Sequence, residues 1–506
     1  MALSGIYGCL AKDDLYGQSL SVIFDAGADE SMYNRRQNDN WTVSLYRYNQ
    51  ADSYLEKTWS GLYATINLSN LFLEKLKVDN FSEAQSNAYM AEVRFLRALC
   101  YMNLTFLWDE VPIRVHSTID QQDNHLAPSS LKEVYQFIAE DLKYAAQYLP
   151  HANSTDYVPG RANSMAARAL LARLYLKQAG YPLLDHSAYE LADNQLDTII
   201  NVDKWHELLT VNGEITATNN GYRSLFLKYI QNEYYPKESM FEISFSYLRS
   251  QGIQVDGRLG AINGVQFDLL DGPYSRAMVN ATPLLTSSYD ENDIRAAWNL
   301  PAVSYSTAHV VKTKKVLDVS YAPGKYRRWE PTPTADNPNA ITILEKSSGY
   351  SQNFTCVNFP VVRYADVLLM YAETQNELSE GPTAAAINAI NKVRNRAGLA
   401  NLTSDVTSSK EAFFNEIVEE RFRELCFEGL RTFDLKRWGL LEKRLALLKN
   451  SIISDGSYTQ TSDQHNSYLR QVNNFNPSRN LTYPYPMKEV SQNDLLEQKP
   501  EWVSAN

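Results

Sequence analysis

Apolar residues recur at three- and four-residue spacing through two long blocks of the chain, the signature of helices with one buried face. In the first block Val93, Leu96, Cys100, Leu104 and Leu107 form one such stripe. Leu170, Leu174 and Tyr175 form another, which Gly180-Tyr181-Pro182 stops. Capping-box pairs mark helix starts at Ser82 with Gln85, Ser130 with Glu133 and Ser187 with Glu190. The second block spans about 361–448. There Val367, Leu368 and Tyr371 open a helix, Gly381-Pro382 separates it from the next, and Gly398 ends that one. Ser408 with Glu411 predicts a third, carrying Phe414, Val418, Phe422 and Leu425. Helices of this length joined by short turns predict a mainly α fold of packed pairs resembling a tetratricopeptide (TPR) array.

Between the blocks, about 203–358, the pattern changes to Gly, Pro, Asn, Ser and Tyr. One strand is legible, with Phe241, Ile243, Phe245 and Tyr247 alternating with Glu242, Ser244 and Ser246. The remainder reads as loops, as does 449–506. A loop-rich insertion on a helical scaffold is where function is expected.

Composition narrows this picture. At 44% apolar, the 506 residues can bury a full core. A net charge of −11 argues against a nucleic-acid partner, which needs a basic face. No apolar run reaches a membrane span of roughly 18 residues, and Met1 to Lys12 shows no signal-peptide pattern. Cys9, Cys100, Cys356 and Cys426 read as small buried apolar residues. Tyr is abundant, 33 with 18 Phe and 8 Trp, which suits amphipathic ligands such as sugars or peptides as well as a Tyr-rich core.

The chain carries no phosphate loop, no G-x-S-x-G and no H-E-x-x-H. Its seven His form no i,i+4 pair, so no zinc site is expected. A structural calcium held by loop oxygens needs no fixed spacing and stays open. The dense run Glu416, Glu419, Glu420, Arg421, Arg423, Glu424 and Glu428 reads as helix-surface and interhelical ion pairs. The loop carboxylate pairs Asp29-Glu30 and Asp109-Glu110 are the places an acid–base enzyme would use. Two aromatic clusters read as ligand surface. The first is Tyr33, Arg35, Arg36, Asn40 and Trp41; the second is Tyr274, Trp298, Tyr305, Tyr321, Tyr326 and Trp329. Ring faces stack on sugar C–H faces, while Arg and Asn bond hydroxyls.

Four segments together resemble the SusD/RagB family of outer-membrane nutrient-binding lipoproteins. The first is Ala91-Glu92-Val93-Arg94-Phe95-Leu96-Arg97-Ala98, leading to Asp109-Glu110-Val111-Pro112. The second is Arg363-Tyr364-Ala365-Asp366-Val367-Leu368-Leu369-Met370-Tyr371-Ala372-Glu373, followed by Arg396-Ala397-Gly398-Leu399. The third runs Glu420-Arg421-Phe422-Arg423-Glu424, Phe427-Glu428-Gly429-Leu430-Arg431 and Lys436-Arg437-Trp438. The fourth is Tyr483-Pro484-Tyr485-Pro486 with Gln498 and Pro500. The family usually has Gly where Asp109 stands, and Asn-Pro-Gly where Lys499-Pro500-Glu501 stands.

The resemblance implies one domain over 1–506: a scaffold of four TPR-like helix pairs (about 1–202 and 361–448) bearing the 203–358 insertion. It implies a non-catalytic, lipid-anchored surface protein that captures an oligosaccharide or polysaccharide, or in some members a peptide. It also implies a partner, a SusC-like TonB-dependent transporter, and no cofactor. The anchor cysteine is expected upstream, because the residues before Cys9 do not form a lipobox. Asp29-Glu30, Arg35 or Arg36 and Trp41 match a family pattern in the N-terminal loop. A TPR-like adaptor without a small ligand is the reading from another functional class.

Overall fold

The computed structural model describes residues 2–34, 40–248, 253–313, 321–346, 351–454 and 463–503. Six helices open the chain: α1 (Ala2–Leu10), α2 (Ser53–Lys75), α3 (Glu83–Trp108), α4 (Leu131–Tyr148), α5 (Ser164–Ala179) and α6 (Ala188–Asp197). Each packs on the one before it. The capping boxes at Ser82 and Ser130 form as predicted, satisfying the free N–H groups of the first turns of α3 and α4. The one at Ser187 does not. Its hydroxyl donates to Asp185 instead, because Ser187 already has helical dihedrals and cannot turn back on its own helix.

After α6 the chain leaves the scaffold through α7 (Gly221–Ile230), α8 (Pro283–Ser287) and α9 (Arg295–Asn299). It returns as α10 (Tyr364–Glu377), which lies against α6, α5, α11 (Ala384–Arg396) and α12 (Lys410–Glu424). The scaffold is thus four packed pairs: α2 with α3, α4 with α5, α6 with α10, and α11 with α12. The third pair is split by everything between Asp197 and Tyr364. Ser409, one residue beyond the predicted Ser408, caps α12.

The second helical block continues through α13 (Arg431–Arg437) into α14 (Leu441–Ser454), and the 449–506 stretch, expected to be mostly loop, carries α15 (Asp463–Asn474) and α16 (Met487–Gln492). Helix α15 is almost wholly polar, so periodicity does not announce it. It is held by contact: it packs on α14, and Gln471 donates to the carbonyl of Ala28.

Strands among the described residues are short and form two-stranded antiparallel ladders. β1 (Ser31–Tyr33) pairs with β5 (Val279–Ala281), β3 (Ser246–Leu248) with β4 (Ile253–Val255), β6 (Val303–Tyr305) with β7 (Val311–Thr313), and β8 (Trp329–Pro331) with β9 (Ile341–Ile343). β2 (Ser239–Ile243) pairs with β10 (Phe359–Arg363), which runs directly into α10, so outgoing and returning chain are stitched together at the scaffold. The predicted alternation holds for sequence but not for burial. All five residues of β2 are buried, and Glu242 is satisfied inside by Asn358 and Ser239.

The acidic and basic run on α12 is interhelical, as expected, but it faces inward rather than outward. Glu424 accepts from Arg363 (3.1 Å), Arg295 (3.0 Å) and Arg396 (2.5 Å). Glu420 bonds Arg295 (2.6 Å) and Arg423 (2.9 Å). Glu428 bonds Lys325 (2.6 Å) and Arg363 (2.7 Å). These groups come from α9, β10, α11 and the 321–346 segment, and all are buried. Burial alone would raise the Glu424 pKa, but the cations of Arg396, Arg363 and Arg295 overcome it and bring the carboxyl down to about 2. Asp366 is likewise pulled to about 2, against burial, by Arg421 and Arg173.

A carboxyl with a depressed folded pKa stabilises the fold above its unfolded pKa and loses that contribution as pH falls through the folded value. Unfolding free energy should therefore decline as pH drops from about 4.5 toward 2, read by urea titration across that range. At neutral pH, Glu424→Gln should cost about 3–5 kcal/mol, because its arginines stay buried without a counter-charge.

Candidate functional site

The N-terminal loop and the 262–280 segment, far apart in sequence, meet in space. β1 carries Tyr33 into register with Val279 of β5. Beyond it, Asn34 bonds the Met278 carbonyl through its backbone N–H (3.0 Å) and Asn280 through its side chain (3.0 Å). Asn280 in turn donates to the Tyr468 hydroxyl on α15 (2.9 Å). The N-terminal loop and the 262–280 segment thus share one seam. Asn34, Tyr274 and Met278 are half-buried along it, and Asn40 and Arg276 are exposed.

Most of the large rings do not face solvent. Trp41 is 2% exposed and stacks on the fully buried Tyr33, centroids 4.8 Å apart. Trp298, at 2%, lies between two guanidinium groups, Arg327 at 4.1 Å and Arg223 at 5.4 Å. Tyr326 is fully buried with its edge toward Phe226. Trp329 (0%) and Tyr305 (7%) both pack on Phe267, and Tyr305 stacks on it at 4.8 Å. This corrects the expectation that these rings offer open faces to a ligand. The insertion has no long helix or sheet of its own, so its aromatics supply the core that holds its short ladders together. Arg35 and Arg36 lie outside the described residues.

The rings instead form a floor. Trp329 Nε1 donates to the Val265 carbonyl (3.2 Å), and residues 266–268 bond along Tyr305 and Ser275. Arg328 reaches the carbonyls of Tyr274 and Ser351 and the carboxylate of Glu345. Above this floor Gln266, Asp268 and Tyr274 are half-buried, while Leu270 and His309 are exposed. His309 is fixed in a left-handed turn (φ +58°) beside the Tyr305 ring. A rim of amide, carboxylate, imidazole and phenol over rigid rings can offer hydrogen bonds and a little apolar surface together, as a hydroxyl-rich ligand requires.

The concave regions differ in chemistry from this rim. A groove of about 580 Å³ between α1 and α2 is lined by Ile6, Leu68, Leu71, Phe72 and Phe81, nearly all apolar. A cavity of about 450 Å³ holds Phe106, Asp109, Lys177, Tyr181 and Lys436. Asp109 takes a left-handed backbone there (φ +58°) at the end of α3, which explains why glycine would suit the position.

The carboxylate pair Asp29-Glu30 is committed to structure, whereas Glu110 of the second pair is exposed. Asp29 takes a bidentate bond from Arg431 (2.7 and 2.8 Å) and another bond from Arg444. Burial opposes its ionisation, yet these two arginines keep its pKa below the usual value. Glu30 accepts the Phe427 N–H at 2.8 Å. Sequence reasoning also missed a cluster formed by His151, Asp203 and His206. The only local signal was an Asp-x-x-His spacing, with the third member far upstream.

The profile described as the SusD family matches residues 322–502. A second, described as "Starch-binding associating with outer membrane", matches residues 6–176. The chain belongs to the SusD family. SusD-like protein P25 of Formosa agariphila is 27% identical over 472 residues, covering 87% of this chain and 82% of its own. The starch-binding protein SusD of Bacteroides thetaiotaomicron is 22% identical over 450 residues, 82% of this chain and 75% of that one. A crystal structure of a SusD homolog from B. thetaiotaomicron superposes with a TM-score of 0.85 at 26% identity, covering 99% of this chain and 96% of that one. The SusD-like scaffold is therefore shared end to end, insertion included.

If the rings are floor rather than contact, Trp329→Ala should destabilise the fold by about 3–5 kcal/mol, the usual cost of a large buried aromatic. Tyr274→Ala and His309→Ala should change it by under about 1 kcal/mol. Guanidinium denaturation of the three variants separates the two outcomes.

Proposed function

We propose that this SusD-family protein captures an oligosaccharide or polysaccharide at the cell surface without converting it, and hands it to a SusC-like TonB-dependent transporter. The observation that carries the reading is the seam itself. The N-terminal loop pairs with the insertion through β1 and β5, and half-buried polar side chains of the insertion stand by the packed rings of Phe267, Tyr305 and Trp329, on a scaffold whose relatives include a starch-binding protein. Sugar rings present hydroxyls at their edges and C–H groups on their faces, and such a rim matches both. The carboxylates that an acid–base hydrolase would need are bound to arginines and backbone at Asp29 and Glu30.

On this reading the ligand meets Asn40, Gln266, Asp268, Tyr274 and His309. Arg35 and Arg36, which lie in sequence between Asn34 and Asn40, supply further hydrogen-bond donors to the ligand. Tyr33, Trp41, Trp298, Tyr305, Tyr326 and Trp329 act beneath it, keeping the rim in shape. A lipid anchor holds the protein at the outer membrane.

Affinity electrophoresis through gels containing starch, laminarin and other polysaccharides tests this directly. At least one gel should retard the protein, with no reducing sugar released. Tyr274→Ala and His309→Ala should each weaken binding by about 1–3 kcal/mol, the range for loss of a stacking ring, at unchanged stability. Retardation that survives both changes would move the site elsewhere. No retardation in any gel, with a stable barrel complex recovered, would favour an assembly subunit.

A further inference from the structure

His151 follows α4, while Asp203 and His206 stand where the chain leaves the scaffold after α6. One ligand atom from each lies within 4.8 Å of the other two. We propose that these three side chains form a site for a divalent transition-metal ion of the zinc type, pinning the root of the insertion to the helical array.

Two nitrogen donors and a carboxylate make a donor set suited to zinc, with a fourth position left for water. His206 is 96% buried, and its Nδ1 faces the Lys237 carbonyl at 3.1 Å. That contact places the ring proton on Nδ1 and leaves Nε2 as a bare lone pair, the usual arrangement of a metal-bound histidine. Nε2 has no hydrogen-bond partner among the described residues. A buried acceptor without a donor is costly, and a cation at this point would satisfy it. Asp203 is oriented by the Trp205 N–H at 3.3 Å, and its other oxygen stands 2.9 Å from His151 Nε2. Ligand atoms around zinc lie about 3.3 Å apart, so the pair would open slightly on loading.

His151 is the ligand that has to adjust. Its Nδ1 now accepts the Asn153 N–H at 3.0 Å, so its proton sits on Nε2, which is 2.9 Å from Asp203 but makes no hydrogen bond among the described residues. Coordination through Nε2 moves that proton to Nδ1 and gives up the Asn153 bond. The side chains of His151 and Asp203 are 17% and 14% exposed, which leaves the ion a path inward.

The location gives the site a role. Trp205 lies edge-on to both imidazoles, and His206 stacks over Tyr364, the first residue of α10. One ion would therefore tie together the end of α4, the departing chain at 203–206 and the point of its return. This role does not depend on which ligand the protein captures.

The full chain, stripped with EDTA, would be titrated with ZnCl2 by calorimetry and with CoCl2 by visible absorption. One equivalent of zinc should bind with a micromolar or tighter Kd and raise the Tm. Cobalt should develop d–d bands typical of four- or five-coordinate N/O sites. His206→Gln and Asp203→Asn should each weaken zinc at least tenfold and abolish the bands, while His116→Ala, at an exposed histidine elsewhere, should leave both intact. The circular dichroism of each variant without metal would show that it is folded. Absence of a stoichiometric zinc site, or one that persists in both His206→Gln and Asp203→Asn, overturns the proposal. If a variant fails to fold, the wild-type titration with its cobalt spectrum still decides.

Discussion

Helix α12 holds the molecule together through charge. Its Glu420 and Glu424 reach α9 through Arg295, β10 through Arg363 and α11 through Arg396, all within 3.2 Å and all out of water. Glu428, just beyond the helix, adds Lys325 from the insertion. Buried ion pairs rarely add much net stability over well-packed apolar groups, but breaking one strands its partner at high cost. What such a network supplies is geometry. Each guanidinium accepts only a few arrangements of oxygen, so elements from four parts of the chain are fixed in position relative to one another.

That fixity explains how a scaffold tolerates an interruption between α6 and α10. The two helices pack as neighbours although the insertion separates them in sequence. The β2–β10 ladder closes its base, and the α12 charges bind its interior through Arg295 and Lys325. Within the insertion, packing is left to aromatic rings around Phe267 and Trp329, which hold ladders of three residues that could not stand alone. The outward rim is then free to vary without touching what keeps the fold.

Much of the scaffold was legible because helices write their burial into sequence with a short period. The stripe from Val93 to Leu107 and the boxes at Ser82 and Ser130 needed no tertiary information. Helix α15 was not legible, since its order comes from α14 and the Ala28 carbonyl rather than from its own pattern. The charges of α12 were read as pairs but half of them were placed on the surface, because i,i+4 spacing says nothing about which face turns inward. The same limit applied to the rings. Composition marked Trp298, Tyr305 and Trp329 as aromatic clusters, yet a tryptophan between two arginines and one under a loop look alike in one dimension. His151 and His206 became neighbours only because the segment after α4 meets the segment after α6.

The bond between Asp29 and Arg431 spans 402 residues, and that between Glu30 and Phe427 spans 397. The N-terminal strand cannot be sealed until almost the whole polypeptide exists. During synthesis, therefore, Asp29 and Glu30 are without the partners that close them until the last hundred residues, while the helices from α1 to α6 can already pack on one another.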